Sequence, residues 1–466
     1  FYSFPFLSSY QVNKVLVYRN QMKGFVAVEE LTVLSNFSDE EMTFLLPLFS
    51  VKPPKVQARY ASYTMEQIMR LATILEKQTG YNDKLKGSKP NLYLRNKQKW
   101  DSQLQLGVTI QKDAGEYMFN SAYVHGVDFV SASLAYKPKA KHLKSVVLGD
   151  FSLNLGQGLV MWNGFSMGKG VSSVSSSKNS MSLMSYHGSD EVHFMRGAAA
   201  RLVKGSFSLI PYISIKKIDA LIKEDTTISS IRVDGYHRTV SEIVNKGTVD
   251  EMIYGSSLIF REDNKQIGLH LVSMNYSHAL SYHSAYQQQY TTGKNELFSS
   301  LDHSFIGKNW QFYGELALDK KGDYAFLEGL NYYATPNLTF NSTIRKYTAG
   351  YRSFYANSFG ERSNANNEIG IYTGIDLNLG KGYSLKSYLD LYAFPSLSYG
   401  EDTRVEGQDF FTEVRKKLSN KSSVYFRLKS ETRKFNDNKG VSESISRFRV
   451  HYKTEIGDVT FQSRIE

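Results

Sequence analysis

Cations recur on one side of a two-residue alternation in two stretches near the end of this 466-residue chain. One carries Arg427, Lys429 and Arg433 in step with Tyr425 and Glu431; the other carries Arg447, Arg449 and Lys453 in step with His451. An extended chain has a side-chain period of two, so each set projects from one face of a strand. Several guanidinium and ammonium groups on one face attract anions, and could form an anion path or a seat for an acidic segment. Glu413 and Glu431 lie in the same region, and an ion-pair network with them is the plainer expectation. Acid–base chemistry has thinner support. His237-Arg238-Thr239 has Asp234 nearby, and Asp302 precedes His303, but neither comes with a nucleophile at diagnostic spacing. With no Cys there is no thiolate nucleophile, disulfide or thiolate metal site. No phosphate-binding loop, HExxH or calcium-loop pattern occurs, so no catalytic residue, cofactor or metal is expected.

The elements that must hold these residues declare themselves by a change of period near residue 52. Before it, apolar residues recur at helical spacing; after it they alternate with polar ones to the end of the chain. Ile369, Ile371, Ile375, Leu377 and Leu379 share one face, with Gly370, Tyr372, Gly374, Asp376 and Asn378 on the other. Repeated alternating stretches of about ten residues predict a transmembrane β-barrel. The fold class expected is mainly β: a large antiparallel barrel of roughly 18 or more strands after a small all-α unit. Candidate strands are 66–78, 91–100, 102–112, 127–137, 144–155, 192–203, 206–218, 251–262, 265–278 and 297–306. Further ones are 309–319, 324–334, 337–348, 368–379, 382–392, 405–418, 421–434, 443–456 and 458–466. Short turns alternate with long polar stretches at 166–190, 219–250, 279–296, 349–367 and 393–404, as the two ends of an outer-membrane barrel require.

Composition agrees. Tyr (32) and Phe (28) far outnumber Trp (3), which suits strands and aromatic girdles, and Pro is rare at 9. A mean hydropathy of -0.37 fits a wall that turns only half its residues to lipid. No run approaches the roughly 18 apolar residues of a membrane-spanning helix, which excludes a helical membrane protein. A soluble sheet of this size would need a covering layer, and no helices are evident after residue 60. No fixed-period repeat supports a propeller or solenoid. Facing follows from charge, because a charged side chain turned to lipid at mid-bilayer costs about 2–4 kcal/mol. Val424, Phe426, Leu428, Phe448, Val450 and Tyr452 therefore face lipid, and the alternate cations face the lumen. The formal charge of +11 and pI near 9.2 add attraction for lipopolysaccharide, acidic glycans or nucleic acid.

The first fifty residues read as short helices: one over 11–18, one opening at Val28-Glu29-Glu30-Leu31, and one capped by Ser38 with Glu41 three residues on. Phe4-Pro5-Phe6-Leu7-Ser8, Val17-Tyr18-Arg19, Gly24-Phe25, Val28-Glu29-Glu30-Leu31 and Ser35-Asn36-Phe37-Ser38 resemble a tandem helix-hairpin-helix module of the ComEA type. In that family Gly-hydrophobic-Gly hairpins present backbone N–H groups to DNA phosphate. Here Phe6-Leu7-Ser8 and Asn36-Phe37-Ser38 replace all four glycines, and Asp39-Glu40-Glu41 would repel DNA. The resemblance therefore implies the fold with a protein-docking or plug role, centred on Leu7, Phe37, Asp39 and Glu40.

A second segment breaks the strand pattern: Gly149-Asp150-Phe151-Ser152-Leu153-Asn154-Leu155-Gly156-Gln157-Gly158-Leu159 continues into the apolar Val160-Met161-Trp162. Two close glycines permit a bend or a near backbone approach, so the strand is expected to fold inward. The serine-rich 172–180 that follows is expected to be a mobile surface loop. This run, with the helical unit, resembles the helix-hairpin-helix outer-membrane proteins of Bacteroidota-type bacteria.

The organisation expected is residues 1–52 as a helical domain in the periplasm or barrel lumen, a linker at 53–59, and an outer-membrane barrel over 60–466. Both ends look cut, with a signal peptide removed and more strands to follow. The function expected is non-enzymatic: a transport or scaffold component of a protein-secretion or outer-membrane-assembly complex. The alternatives are a DNA-uptake channel, a plain porin and an outer-membrane hydrolase. Expected partners are outer-membrane lipid, lipopolysaccharide and other envelope proteins, with nucleic acid as the alternative.

Overall fold

The computed structural model describes the chain apart from residues 1–6, 8, 23, 33, 35–36, 38–41, 43–44, 50, 52–61, 77, 120–125, 167, 170–175, 179–181, 224–225, 283, 288, 291, 363, 399–402 and 436–441. It is a β-barrel wall of 22 strands. All but three pair antiparallel with their neighbours in chain order, from Tyr63–Ala72 to Val459–Ile465. The three exceptions are Leu183–Ser185, Ala220–Lys223 and Thr227–Ile231, short strands inside stretches expected to be irregular. Among the described residues, neither outer edge of this series pairs further.

Alternation builds the wall. Phe207–Ile218 alternates exposed and buried at every step, and Val249–Glu262 and Trp310–Asp319 nearly so. Ile369, Ile371, Leu389, Leu391, Phe426, Phe448 and Val450 are exposed on the outside, where lipid would cover them, with Tyr372, Tyr388 and Asp390 buried opposite. Tight turns join the strands at one end, such as 263–264, 336–337 and 381–382. At the other end lie the long connections 113–128, 154–194, 219–248 and 348–367, with one tight turn at 320–323.

The connection 219–250 is more ordered than polarity alone implied. Besides its two strands it holds a one-turn helix, Val240–Val244, started by a reciprocal cap between Thr239 and Glu242. With Gly80–Asp83 this corrects the expectation of no helix after residue 60, although neither is long enough to cover a sheet. No described helix is long and apolar enough to cross a membrane.

In the N-terminal unit the first helix runs Ser9–Gln21, longer than the apolar spacing marked. Val28–Thr32 is a 3-10 turn rather than an α-helix. Glu30 explains the connector between them: it accepts from Val26 N–H and Ala27 N–H (both 2.8 Å) and from the Tyr18 hydroxyl (2.9 Å). Leu7, Val12, Val15, Leu31, Met42 and Leu45 form its core. The unit meets the tight-turn end of the barrel. Tyr10 stacks on Tyr333 with ring centres 3.8 Å apart and donates to Lys308 O (3.0 Å), while Asn13 donates to Asp263 O (2.9 Å).

Candidate functional site: a filled lumen beside a basic groove

The strand Leu143–Leu153 ends by turning into the lumen, and the run through Leu155, Leu159, Val160 and Met161 is fully buried. Gly156 (φ 51°) and Gly158 (φ 83°) adopt the left-handed conformation that makes this turn possible. They leave Gln157 N–H and Leu159 N–H converging on one carboxylate oxygen of Glu315, at 2.7 and 3.1 Å. A Cβ on Gly156 would stand 2.6 Å from that carboxylate, so only glycine allows so close an approach.

A second connection, 348–367, clasps the first. Tyr351 and Ser353 hydroxyls donate to Leu159 O (3.0 Å) and Val160 O (2.6 Å). Asn357 N–H donates to Gly158 O (3.0 Å) and Trp162 N–H to Tyr355 O (2.9 Å). Tyr355 reaches the wall by donating to Glu251 (2.7 Å). Lys178 bonds Asn357 O and lies over the Trp162 ring at 4.5 Å. Ser176 and Ser177 are buried too. Ser176 Oγ is 2.7 Å from the Tyr313 hydroxyl, and Gln311 donates to Ser177 (3.3 Å). This part of the expected surface loop is lumenal, because inward-facing Tyr313, Thr343 and Asn341 supply hydrogen-bond partners that water would otherwise supply. Ser172, Ser173, Ser175 and Ser180 lie outside the described residues.

Ion pairs join neighbouring strands of the wall and reach this filling through Lys169. Arg345 is fully buried and forks onto Asp390 (2.8 and 3.0 Å) while also bonding Glu368. Lys169, from the inward segment, binds Glu361, Asp390 (2.5 Å) and Asp409 (3.6 Å). Lys429 reaches the same Asp409 from the neighbouring strand (3.3 Å). Asp409 thus joins the filling to the basic part of the wall.

Of the six cations singled out by spacing, Arg427, Lys429, Arg447 and Arg449 meet in one cavity of about 400 Å³, with Lys169, Tyr388, Phe411 and Glu466. Arg427 forks onto Glu413 (2.6 and 2.9 Å) and Arg449 onto Glu466 (2.7 and 2.9 Å). Arg433 pairs nearer the long-connection end with Glu431 (3.1 Å) and Glu361 (3.3 Å). Lys453 sits near the tight turns beside Glu455 (2.9 Å), away from the cavity. Of the docking residues singled out, Leu7 is buried in the helical unit's own core and Phe37 packs against it. Asp39 and Glu40 lie outside the described residues. Lys169 and Asp409 had no sequence signal, since their partners are scattered along the chain.

The histidines go elsewhere. His237 offers Nδ1 to Asp128 (2.6 Å) and Nε2 to Asp219 (2.7 Å), not to Asp234, which binds Arg232 (2.8 Å). Asp128 also takes Lys246 (2.6 Å), and Glu116 accepts His237 N–H (2.9 Å). Burial opposes a charged ring, but the two carboxylates outweigh it and raise His237 to about 9. Burial, then the charge of Asp128, raises Glu116 to about 7. Ligand atoms of Glu116, Asp128 and His237 lie within 4.8 Å of one another. With both ring nitrogens donating to carboxylates, the imidazole has no lone pair for a cation, so the cluster is a latch between connections. Asp302 bonds His270 (2.6 Å) across strands, while its sequence neighbour His303 faces the other way to Glu328 (2.9 Å).

No family model matches the chain, and no curated protein matches it. Solved structures similar to it include Pseudomonas aeruginosa OpdQ, with 10% identity and TM-score 0.41 over 87% of this chain and 98% of that one. OccK11 (OpdR) of the same organism has 10% identity and TM-score 0.40 over 87% and 96%. OmpT, an outer membrane protein of Vibrio cholerae, has 7% identity and TM-score 0.29 over 84% and 94%.

Proposed function

We propose that this chain is an outer-membrane transport barrel whose passage is closed by its own inward segments. The carrying observation is the clasp of 154–165 by Glu315, Tyr351 and Ser353. The segment is held by localised polar contacts around an apolar run packed on the inner face of the wall. The belt of outward Ile, Leu, Phe and Val matches a hydrocarbon surrounding.

The test is conductance of the purified chain in planar bilayers, with Glu315→Ala beside the parent. Removing the carboxylate leaves two buried N–H groups without their acceptor, a loss of about 1–3 kcal/mol each. The parent should show rare openings and the variant frequent ones. A folded variant that stays as silent as the parent would sink the reading.

A second reading rests on the helical unit docked at the tight-turn end. Its contact with the barrel uses Tyr10 and Asn13 and leaves Met22, Val26 and Leu48 exposed. Docking of a periplasmic partner there would join the barrel to an envelope complex. Gentle extraction followed by mass spectrometry tests it; parent and Val26→Asp preparations retaining the same proteins would count against it.

A further inference from the structure

The basic cavity is lined by five cations and one carboxylate. Register makes this costly: Arg427 stands directly opposite Arg449, and Lys429 directly opposite Arg447. Like charges facing each other across adjacent strands repel, and a wall needing only stability would place a carboxylate in one of each pair. Four of the surrounding carboxylates are each shared by two cations. Glu413 is shared with Arg415 (3.0 Å), and Asp409 is shared by Lys429 and Lys169. Glu361 and Asp390, the other partners of Lys169, also serve Arg433 and Arg345. Arg447 interacts electrostatically with Glu466, which Arg449 already holds. Tyr388 and Phe411, stacked 5.1 Å apart, wall the cavity on the filled side.

We infer that this cavity is a seat for a doubly charged oxyanion of the phosphoryl class, bound by Arg447, Lys429 and the free edges of the Arg427 and Arg449 guanidinium groups. Three terminal oxygens and two negative charges match planar forks plus one ammonium better than a single carboxylate does. The inference deepens the transport reading and rests on it for the direction of travel. Its own content is binding: the ligand competes with Asp409 for Lys429, and Asp409 is also the partner of Lys169 on the filling.

Titration calorimetry of the full chain in detergent, with inorganic phosphate against chloride as background, tests the seat. Saturable binding at one site is expected, weakened at least tenfold in Arg447→Gln and in Lys429→Gln. Lys421→Gln, in a tight turn, should leave it unchanged. Folding of each variant is checked by heat-modifiable gel migration. Bound lipid phosphate that copurifies with the parent and is lost in Arg447→Gln would support the seat with a headgroup as its source. Absence of saturable binding, or an equal loss in Lys421→Gln, would overturn it. Binding without conductance in any variant removes the channel and keeps the seat; conductance without binding does the reverse.

Discussion

Two sectors of one wall treat the lumen in opposite ways. From Leu143–Leu153 round to Tyr383–Phe394, inward side chains are buried against 154–165 and 348–367, and most of their polar groups are matched. Along Ser422–Phe435 and Ser442–Ile456 four inward cations, Arg427, Lys429, Arg447 and Arg449, border one cavity. Both sectors obey the same period of two with lipid-facing apolar residues, so alternation does not separate them. What separates them is whether another part of the chain arrives to cover the inner face. Tyr, Asn and Ser suit a face that will be covered, since each can bury its ring or stem and still satisfy a hydrogen bond. Rows of Arg and Lys suit a face that stays wet or takes an anion.

The comparison can be broken most severely at Arg345. Arg345→Met leaves Glu368 buried without its cation and Asp390 with Lys169 alone, a loss of about 3–5 kcal/mol. Urea unfolding in liposomes should show it, and the same exchange at half-buried Arg427 should cost clearly less. If the two cost the same, the sectors do not differ as described.

The latch at the long-connection end gives a pH test. His237 is raised from 6.5 to about 9, so its stabilisation is complete below about 6.5 and disappears as pH rises through 9. A shift of that size corresponds to about 3 kcal/mol. Hydrogen-exchange protection, taken relative to the intrinsic rate at each pH, should fall in 113–119 and 232–247 between pH 7 and 10 and stay constant in the basic sector. His237→Gln should reduce the dependence to the part carried by Glu191, which burial and then Asp128 raise to about 10.

Gly156→Ala probes the filling without removing a charge. The left-handed backbone costs alanine about 1–3 kcal/mol, and its Cβ meets the Glu315 carboxylate. Protease cleavage within 154–165 should rise while the strands keep their melting temperature. A smaller effect is expected from Tyr10→Ala, which removes a ring stack contributing about 0.5–1.5 kcal/mol. It should free the helical unit for proteolysis and leave both lumen sectors intact.

Much of the wall was legible because burial on one side and lipid on the other impose alternation on every strand. The facing of Arg427, Lys429, Arg447 and Arg449 was legible for the same reason, since an outward charge is too costly. Their convergence was readable only in part: Arg433 and Lys453 share the spacing yet lie toward opposite ends, because spacing gives the face and not the height along the barrel. The glycine pair at 156 and 158 marked an inward bend, but Glu315, its anchor, carries no local signal. Ser176 looked like surface because polarity was the only evidence, and the buried Tyr313 and Thr343 that satisfy it come from distant strands.

The sequence by itself determined the antiparallel wall, its facing and the place where the chain breaks from it, since these follow from a period repeated locally at each strand. Only the tertiary structure decided which inner face is filled, which carboxylates Lys169 and Arg345 find, and which cations share a cavity. Those outcomes depend on strand register and on connections that cross the lumen, and neither leaves a local trace in the order of residues.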